Sequence, residues 1–343
     1  MRKTRDSNME LLRLVAMLLI MVVHANFRAL PKPDAAAIVA CPSSAFLQFL
    51  AEGFSIVGVN VFVMLSGWYG IKPRLVRFSE LIFQILFFGL LCLGIEWAVT
   101  GQIPSGAMLT VLMLEPSAYW FVKVYIALYL FAPVLNSFVE HATRQQFEWV
   151  LVAAFGFMFV FGWLFKATTW IGEGYSLPWF MCLYLLARYM RTYQPRFTQF
   201  SRSTDLCIYL GVVAFLTVAV FVLRHYNLGG VLYFYCCPLV VLGAMYLLLF
   251  FSKLSPSFGG AWRGVINWLG ISALSIYLTH SSNFLGKYYD GYIRQWFYGE
   301  SRFTFILYAA LLIIVVFFGS ILLDKIRLLL WRKVLEIVNR YNQ

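Results

Sequence analysis

The chain is a succession of apolar runs, each about as long as a bilayer is thick, separated by short polar gaps. A helix rises about 1.5 Å per residue, so about 20 residues cross the hydrocarbon core. Ten such runs are read in the 343 residues: Met9–Phe27, Ala45–Gly70, Phe78–Thr100, Ala118–Phe138, Phe147–Phe165, Tyr175–Tyr189, Thr204–Leu223, Val231–Phe251, Val265–Leu285 and Phe303–Leu323. Inside a bilayer every backbone N–H and C=O must find its partner within the protein, so each run predicts a helix. The expected fold is all-α: a polytopic transmembrane helical bundle of about ten spans, forming one membrane domain over residues 1–343. Only 12% of the residues are charged and 62% are hydrophobic. A soluble domain carries about 25% charged residues, which excludes that class. Pro178 near the start of the short sixth run predicts a tilted or broken span. Leu328–Val338 predicts an amphipathic tail helix on the cytoplasmic surface.

Orientation follows from lysine and arginine. With the N-terminus inside, eighteen of the 27 fall in cytoplasmic segments and seven in outer ones, while Arg13 and Lys123 are embedded. That bias is the positive-inside pattern and places both termini in the cytoplasm. It also accounts for the net charge of +12 without nucleic acid. Basic residues before the first run imitate a secretory signal, but the run is longer than a signal's apolar region and many more follow. It reads as an uncleaved first span. The two longest outer connections, Arg28–Ser44 and Gly286–Arg302, are long enough for an outer lid.

The first run carries Glu10, Arg13 and His24. An arginine below the membrane surface costs at least about 2.5–3.5 kcal/mol, which a plain anchor has no reason to bear. Arg13 and His24 are eleven residues apart, close to three helical turns, so they leave the same face about 16 Å apart along the axis. Glu10, one turn before Arg13, is placed to pair with it. The bland alternative is a snorkelling arginine plus an incidental interfacial histidine.

Other residues stand out by position. Asn60 and Ser66 lie within the second run, where Ser66-Gly67 permits close helix packing. Arg74 and Arg77 follow on the cytoplasmic side, one turn apart if helical, and two guanidinium forks on one face suit phosphate. The plain reading of that pair is an ordinary positive-inside anchor. Tyr119 and Trp120 are placed as outer interfacial aromatics. Lys123, one turn deeper, has two routes: its ammonium snorkels outward or lines a cavity. Pro133 marks a kink or cap near the inner end of that span. Tyr277 and His280, three apart, share a face near the outer end of the ninth span.

No HExxH, Cys/His cluster, Walker sequence, GxSxG or dinucleotide fingerprint occurs, so no metal is expected. The six cysteines lie mostly in apolar runs without CxxC spacing and read as small core residues.

With these residues in place, the chain resembles the acyltransferase-3 family of bacterial integral-membrane O-acyltransferases. The resemblance rests on Arg13-x10-His24, on the SG-terminated second span followed by Arg74-x-x-Arg77, on Trp120…Tyr129…Pro133, and on Ser275-Ile-Tyr277-Leu-Thr-His280. It covers nearly the whole length. It implies transfer of an acyl group, usually acetyl, from cytoplasmic acyl-coenzyme A to a hydroxyl of a surface polysaccharide or lipid-linked sugar, in the bacterial inner membrane. Carried over by position, His24 is the catalytic histidine, Arg13 its partner along the same pore, and Arg74 and Arg77 hold the coenzyme A phosphates. Some relatives append an outer hydrolase-like domain, which is not expected here.

Residue chemistry runs parallel to the resemblance. A neutral histidine can take the proton of a sugar hydroxyl as general base, or accept the acyl group covalently. The oxyanion formed at the thioester needs a donor, for which Arg13, Lys123, Asn60 and Tyr277 are the candidates. No orienting carboxylate for His24 is evident from spacing; Glu52, in the outer half of the second span, is the candidate. A transporter or flippase of a lipid or glycan is the alternative, since embedded charges also mark transport paths.

Overall fold

The computed structural model describes residues 6–341 except 117, 166–170, 227 and 255–259. Arg2, Lys3, Arg5 and Lys166, which contribute to the charge bias, lie outside the described residues. The described residues form helices and connecting segments, with no strand among them. In chain order the α-helices are α1 (Ser7–Val23), α2 (Ala35–Ala40), α3 (Pro42–Ser55), α4 (Gly58–Tyr69), α5 (Leu75–Thr100), α6 (Ala107–Val111), α7 (Trp120–His141), α8 (Arg144–Phe157), α9 (Leu177–Tyr193), α10 (Arg202–His225), α11 (Pro238–Ser252), α12 (Gly260–Gly270), α13 (Ala273–His280), α14 (Gly286–Gly299) and α15 (Arg302–Tyr341). Their ends follow local chemistry. The Asp34 carboxylate caps α2, Thr143 and Gln146 cap α8 reciprocally, and the Ser176 and Ser201 hydroxyls cap α9 and α10. Gly101, in the left-handed region at φ 69°, closes α5.

Eight helical runs among the described residues are long and apolar enough to cross a membrane. The chain is a multi-pass helical membrane protein. The two other expected spans appear as shorter helices. The sixth is α9, of 17 residues, which starts only at Leu177 because Ser176 caps it and Pro178 follows. The ninth is divided into α12 and α13 by a turn at Ile271-Ser272. The second span is also interrupted, between Ser55 and Gly58. The separate tail helix expected at Leu328–Val338 is instead the end of α15, which runs for 40 residues. Neither proline nor glycine follows Gly319, so nothing in the sequence stops the helix. The outer connections Arg28–Ser44 and Gly286–Arg302 contain α2 and α14.

The described residues divide into two compact units, each drawn from two stretches of chain: residues 1–72 with 121–267, and residues 73–120 with 268–343. In the first unit α4 is the central element. Nearly all its residues are buried, from Gly58 to Leu65 and again at Gly67. It packs against α1, α9 and α11. Glycines set the spacing: a Cβ on Gly58 would sit 2.9 Å from the Ala16 carbonyl of α1, and one on Gly67 would overlap the Tyr184 carbonyl of α9. Tyr184 also fixes the exit from α4. Its hydroxyl accepts from the Ile71 N–H and donates to Asn136 of α7, whose amide donates back to the Ile71 carbonyl.

The close approach at Gly67 yields a prediction. Gly67→Ala should cost about 1–3 kcal/mol, because the clash is with backbone and cannot be relieved by a rotamer change. Gly156→Ala, where an added Cβ meets nothing within 4 Å, is the control. Thermal midpoints of the two purified variants should separate; equal midpoints would refute the packing argument.

In the second unit α5, α6, α13, α14 and α15 pack together, with Cys92, Ala107, Val111 and Phe284 forming a small apolar cluster. The Ser275 hydroxyl of α13 donates to the Ser320 carbonyl of α15. Tyr119, expected at an interface, is instead 3% exposed. Its hydroxyl donates to the Leu278 carbonyl, which removes the reason for a Tyr to sit in the headgroup layer.

Candidate active site

Arg13 and His24 are carried by one uninterrupted helical stretch. α1 runs to Val23, and His24 keeps right-handed helical angles at its end. The two side chains therefore leave one stripe of the helix, about 16 Å apart along its axis. Both are half-buried. Arg13 is not a bare cation: its Nη1 donates to both oxygens of Glu10, at 2.8 and 2.6 Å. Glu10 itself is buried. The ion pair lets the guanidinium sit below a membrane surface at reduced desolvation cost. Arg13 also lies within electrostatic reach of the Tyr69 and Tyr125 hydroxyls.

At His24 the helix widens into a π-turn, His24–Arg28, closed by the Ala29 N–H donating to the His24 carbonyl at 3.0 Å. Such turns are uncommon and cluster at functional positions. Arg28 Nη1 lies 3.0 Å from His24 Nδ1. A guanidinium only donates, so Nδ1 is the accepting nitrogen and the neutral ring carries its proton on Nε2. The π-turn is tied to α3 through Asn26, whose amide donates to the Gln48 carbonyl at 2.9 Å and to Glu52 at 3.0 Å. Glu52 thus holds Asn26 rather than orienting His24 directly, a correction to the sequence expectation. The physical reason is the π-turn, which turns Asn26 toward α3. Lys32 lies within electrostatic reach of Glu52.

The other candidates have different surroundings. Asn60 is fully buried; its amide donates to the Tyr235 carbonyl at 2.8 Å and its carbonyl accepts from the Trp179 indole at 3.2 Å. It ties α4 to its neighbours, and both ends of its amide are engaged. Lys123 is half-buried on α7, and Trp120 is the half-buried first residue of that helix. Arg74 and Arg77 are both exposed. Arg74 is the extended N-cap of α5, at φ −141°, and Arg77 lies in the first turn, so they do not share a helical face. No acidic residue occupies that turn. Two cations at a helix N-terminus oppose the helix dipole, so helix stability does not explain them. Tyr277 and His280, in the second unit, are 3% and 1% exposed. They meet edge to face at 6.0 Å, and His280 Nδ1 donates to the Ile276 carbonyl of its own helix. That is the environment of a core histidine.

Sequence reading missed Asn26 and Arg28. Arg28 belongs to the outer connection by its charge, yet its spacing of four from His24 is the signal in the sequence that brings the two together. It also missed a cavity of about 860 Å³ in the first unit, beside the start of α1. Arg191, Lys253 and Arg263 line it with Trp68 and Asn267. Among the described residues no group of three or more His, Cys, Asp or Glu is arranged to hold a metal ion.

A protein-family model described as an acyltransferase domain matches residues 6–325. The match runs through both units and includes α1, the π-turn and α5. No curated protein and no solved structure matches the chain.

Proposed function

Because the chain belongs to the acyltransferase-3 family, we propose that this membrane acyltransferase moves an acyl group, acetyl in the simplest case, from cytoplasmic acyl-coenzyme A to a hydroxyl of a surface polysaccharide or lipid-linked sugar. Its place is the bacterial inner membrane, with both termini in the cytoplasm, as the lysine and arginine distribution supports. The observation that carries the reading is the α1 stripe: a guanidinium paired to Glu10 below, and a neutral imidazole on a π-turn above.

The chemistry needs a base, an oxyanion donor and a hold on a polyanionic donor molecule. His24 is the base. The acceptor hydroxyl replaces Arg28 at Nδ1 and gives its proton to the ring as its oxygen attacks the thioester carbonyl. The tetrahedral oxyanion then collapses and expels the thiolate. The imidazolium returns the proton, leaving coenzyme A as the free thiol. Arg28, displaced from Nδ1, supplies the positive charge that favours the oxyanion. Arg13 with Glu10 supports the acyl arm on the cytoplasmic side of His24. Arg74 and Arg77 present exposed guanidinium forks suited to donor phosphates.

The test is mass analysis of the surface glycans of a host with and without this chain. Each glycan repeat should gain the mass of one acyl group. The gain should vanish with Arg74→Ala/Arg77→Ala while the protein remains in the membrane. An unchanged glycan mass overturns the reading.

A further inference from the structure

The cavity beside the N-terminus of α1 has no part in the chemistry at His24, yet it is built like a nucleotide site. Its volume of about 860 Å³ lies in the range of about 300–1,000 Å³ usual for small-molecule pockets. Its walls come from residues of one unit, at the first turn of α1, the ends of α4, α9 and α11, and the part of α12 up to Asn267. All these helix ends belong to the side that the lysine and arginine distribution assigns to the cytoplasm.

Three kinds of group meet there. The first is positive charge. Arg191 and Arg263 line the cavity, and Arg263 is exposed. Lys253 lines it too, but its ammonium is held at 2.6 Å by the fully buried Asp205. Asp6, the one acid in the lining, accepts from the Tyr69 hydroxyl at 2.9 Å. Arg191 and Arg263 are therefore the cations with charge to offer a ligand. The second is an aromatic face. Trp68 lines the cavity, and the Arg191 guanidinium stands 5.4 Å from its ring centre and 5.0 Å from that of Tyr69. A guanidinium set against rings is oriented at low entropy cost and keeps its outward N–H groups for an anion. The third is an acceptor: Asn267 Oδ1 is buried without a hydrogen-bond partner. An unsatisfied buried amide oxygen asks for a donor, such as an exocyclic amine.

Cations for phosphate, an indole for a purine and a carbonyl for an amine together describe a phosphorylated adenosine. We propose that this cavity holds the 3′-phosphoadenosine end of the coenzyme A donor, with Arg191 and Arg263 on its phosphate and Trp68 and Asn267 on its base. The assignment rests on the acyl-coenzyme A reading above and deepens it. The site lies beside α1 itself, the helix that carries Arg13 and His24, and Tyr69 is within electrostatic reach of both Arg191 and Arg13. A donor seated here has its polar end at the foot of the helix on which the transfer takes place.

The experiment is binding of coenzyme A and of 3′-dephospho-coenzyme A to the full chain in lipid nanodiscs. The wild-type chain should bind coenzyme A more tightly than the dephospho form. Arg263→Gln, at an exposed position whose change leaves packing intact, should weaken coenzyme A about tenfold, or about 1.4 kcal/mol, and shrink the difference between the two probes. Arg191→Gln should act in the same direction, and Arg191→Lys should restore part of the loss. Trp68→Ala should weaken both probes alike. If coenzyme A binds and the Arg191 and Arg263 variants bind it as the wild type does, the cavity assignment is wrong while the acyltransferase reading stands. If the wild-type chain binds neither probe, the donor reading falls and takes this assignment with it.

Discussion

Replacing His24 by Ala should lower acyl transfer by about 10²–10⁴-fold, the usual worth of a positioned general base. Binding of coenzyme A should stay within a factor of about two, because His24 is well over two helical turns from the start of α1 where the basic cavity lies. The readouts are the acyl content of the glycan and donor binding in nanodiscs. A companion variant sharpens the test. Arg28→Ala leaves the ring in place and removes the group 3.0 Å from Nδ1. Loss of that cation removes the positive charge offered to the oxyanion, so transfer should fall while donor binding is kept. Parallel loss of transfer and donor binding in His24→Ala would mean that the histidine is architectural.

The largest effect on stability should come from the second unit. Arg327 is 2% exposed and Asp324 is fully buried. Arg327 meets both carboxylate oxygens of Asp324, at 2.9 and 3.1 Å, and reaches Glu80 of α5 at 3.2 Å. Gln84 of α5 donates to the same Asp324 at 3.0 Å. Arg327→Met should cost about 3–5 kcal/mol, because it leaves the Asp324 charge buried and unpaired. The double change Arg327→Met/Asp324→Leu should recover most of that loss, since apolar side chains of similar volume replace a buried pair nearly neutrally. Thermal unfolding of the purified chain in detergent reads both. A single variant as stable as the wild type would show that the pair contributes little to holding α15 on α5.

Much of this fold is legible without coordinates because lipid leaves the backbone few options. Runs of apolar residues become helices, and six of the ten expected runs correspond to single helical stretches long enough to cross a membrane, of which those of α1 and α8 end in a widened π-turn. The interruptions were harder to see. The break between α3 and α4 has no proline to mark it; Gly58, where α4 begins, lies close to the Ala16 carbonyl of α1. α15 runs past its expected end because no proline or glycine follows Gly319 to stop it, and Arg327 is buried against Asp324 where charge alone suggested a surface helix.

The candidate site divides in the same way. The common face of Arg13 and His24 and the Glu10 pairing follow from helical periodicity, which needs nothing beyond spacing. The Arg28 contact is a spacing of four and is open to the same argument, but the Asn26–Glu52 link and the cavity formed by Arg191, Arg263, Trp68 and Asn267 are not. Their residues are up to 199 positions apart in the chain, from Trp68 to Asn267. Sequence by itself determined a multi-pass helical protein with a charged and titratable stripe on its first helix, because hydrophobicity and period act locally. Only the tertiary structure decided which cations are spent on internal partners and which are left facing a cavity, because that depends on how helix ends far apart in sequence come together.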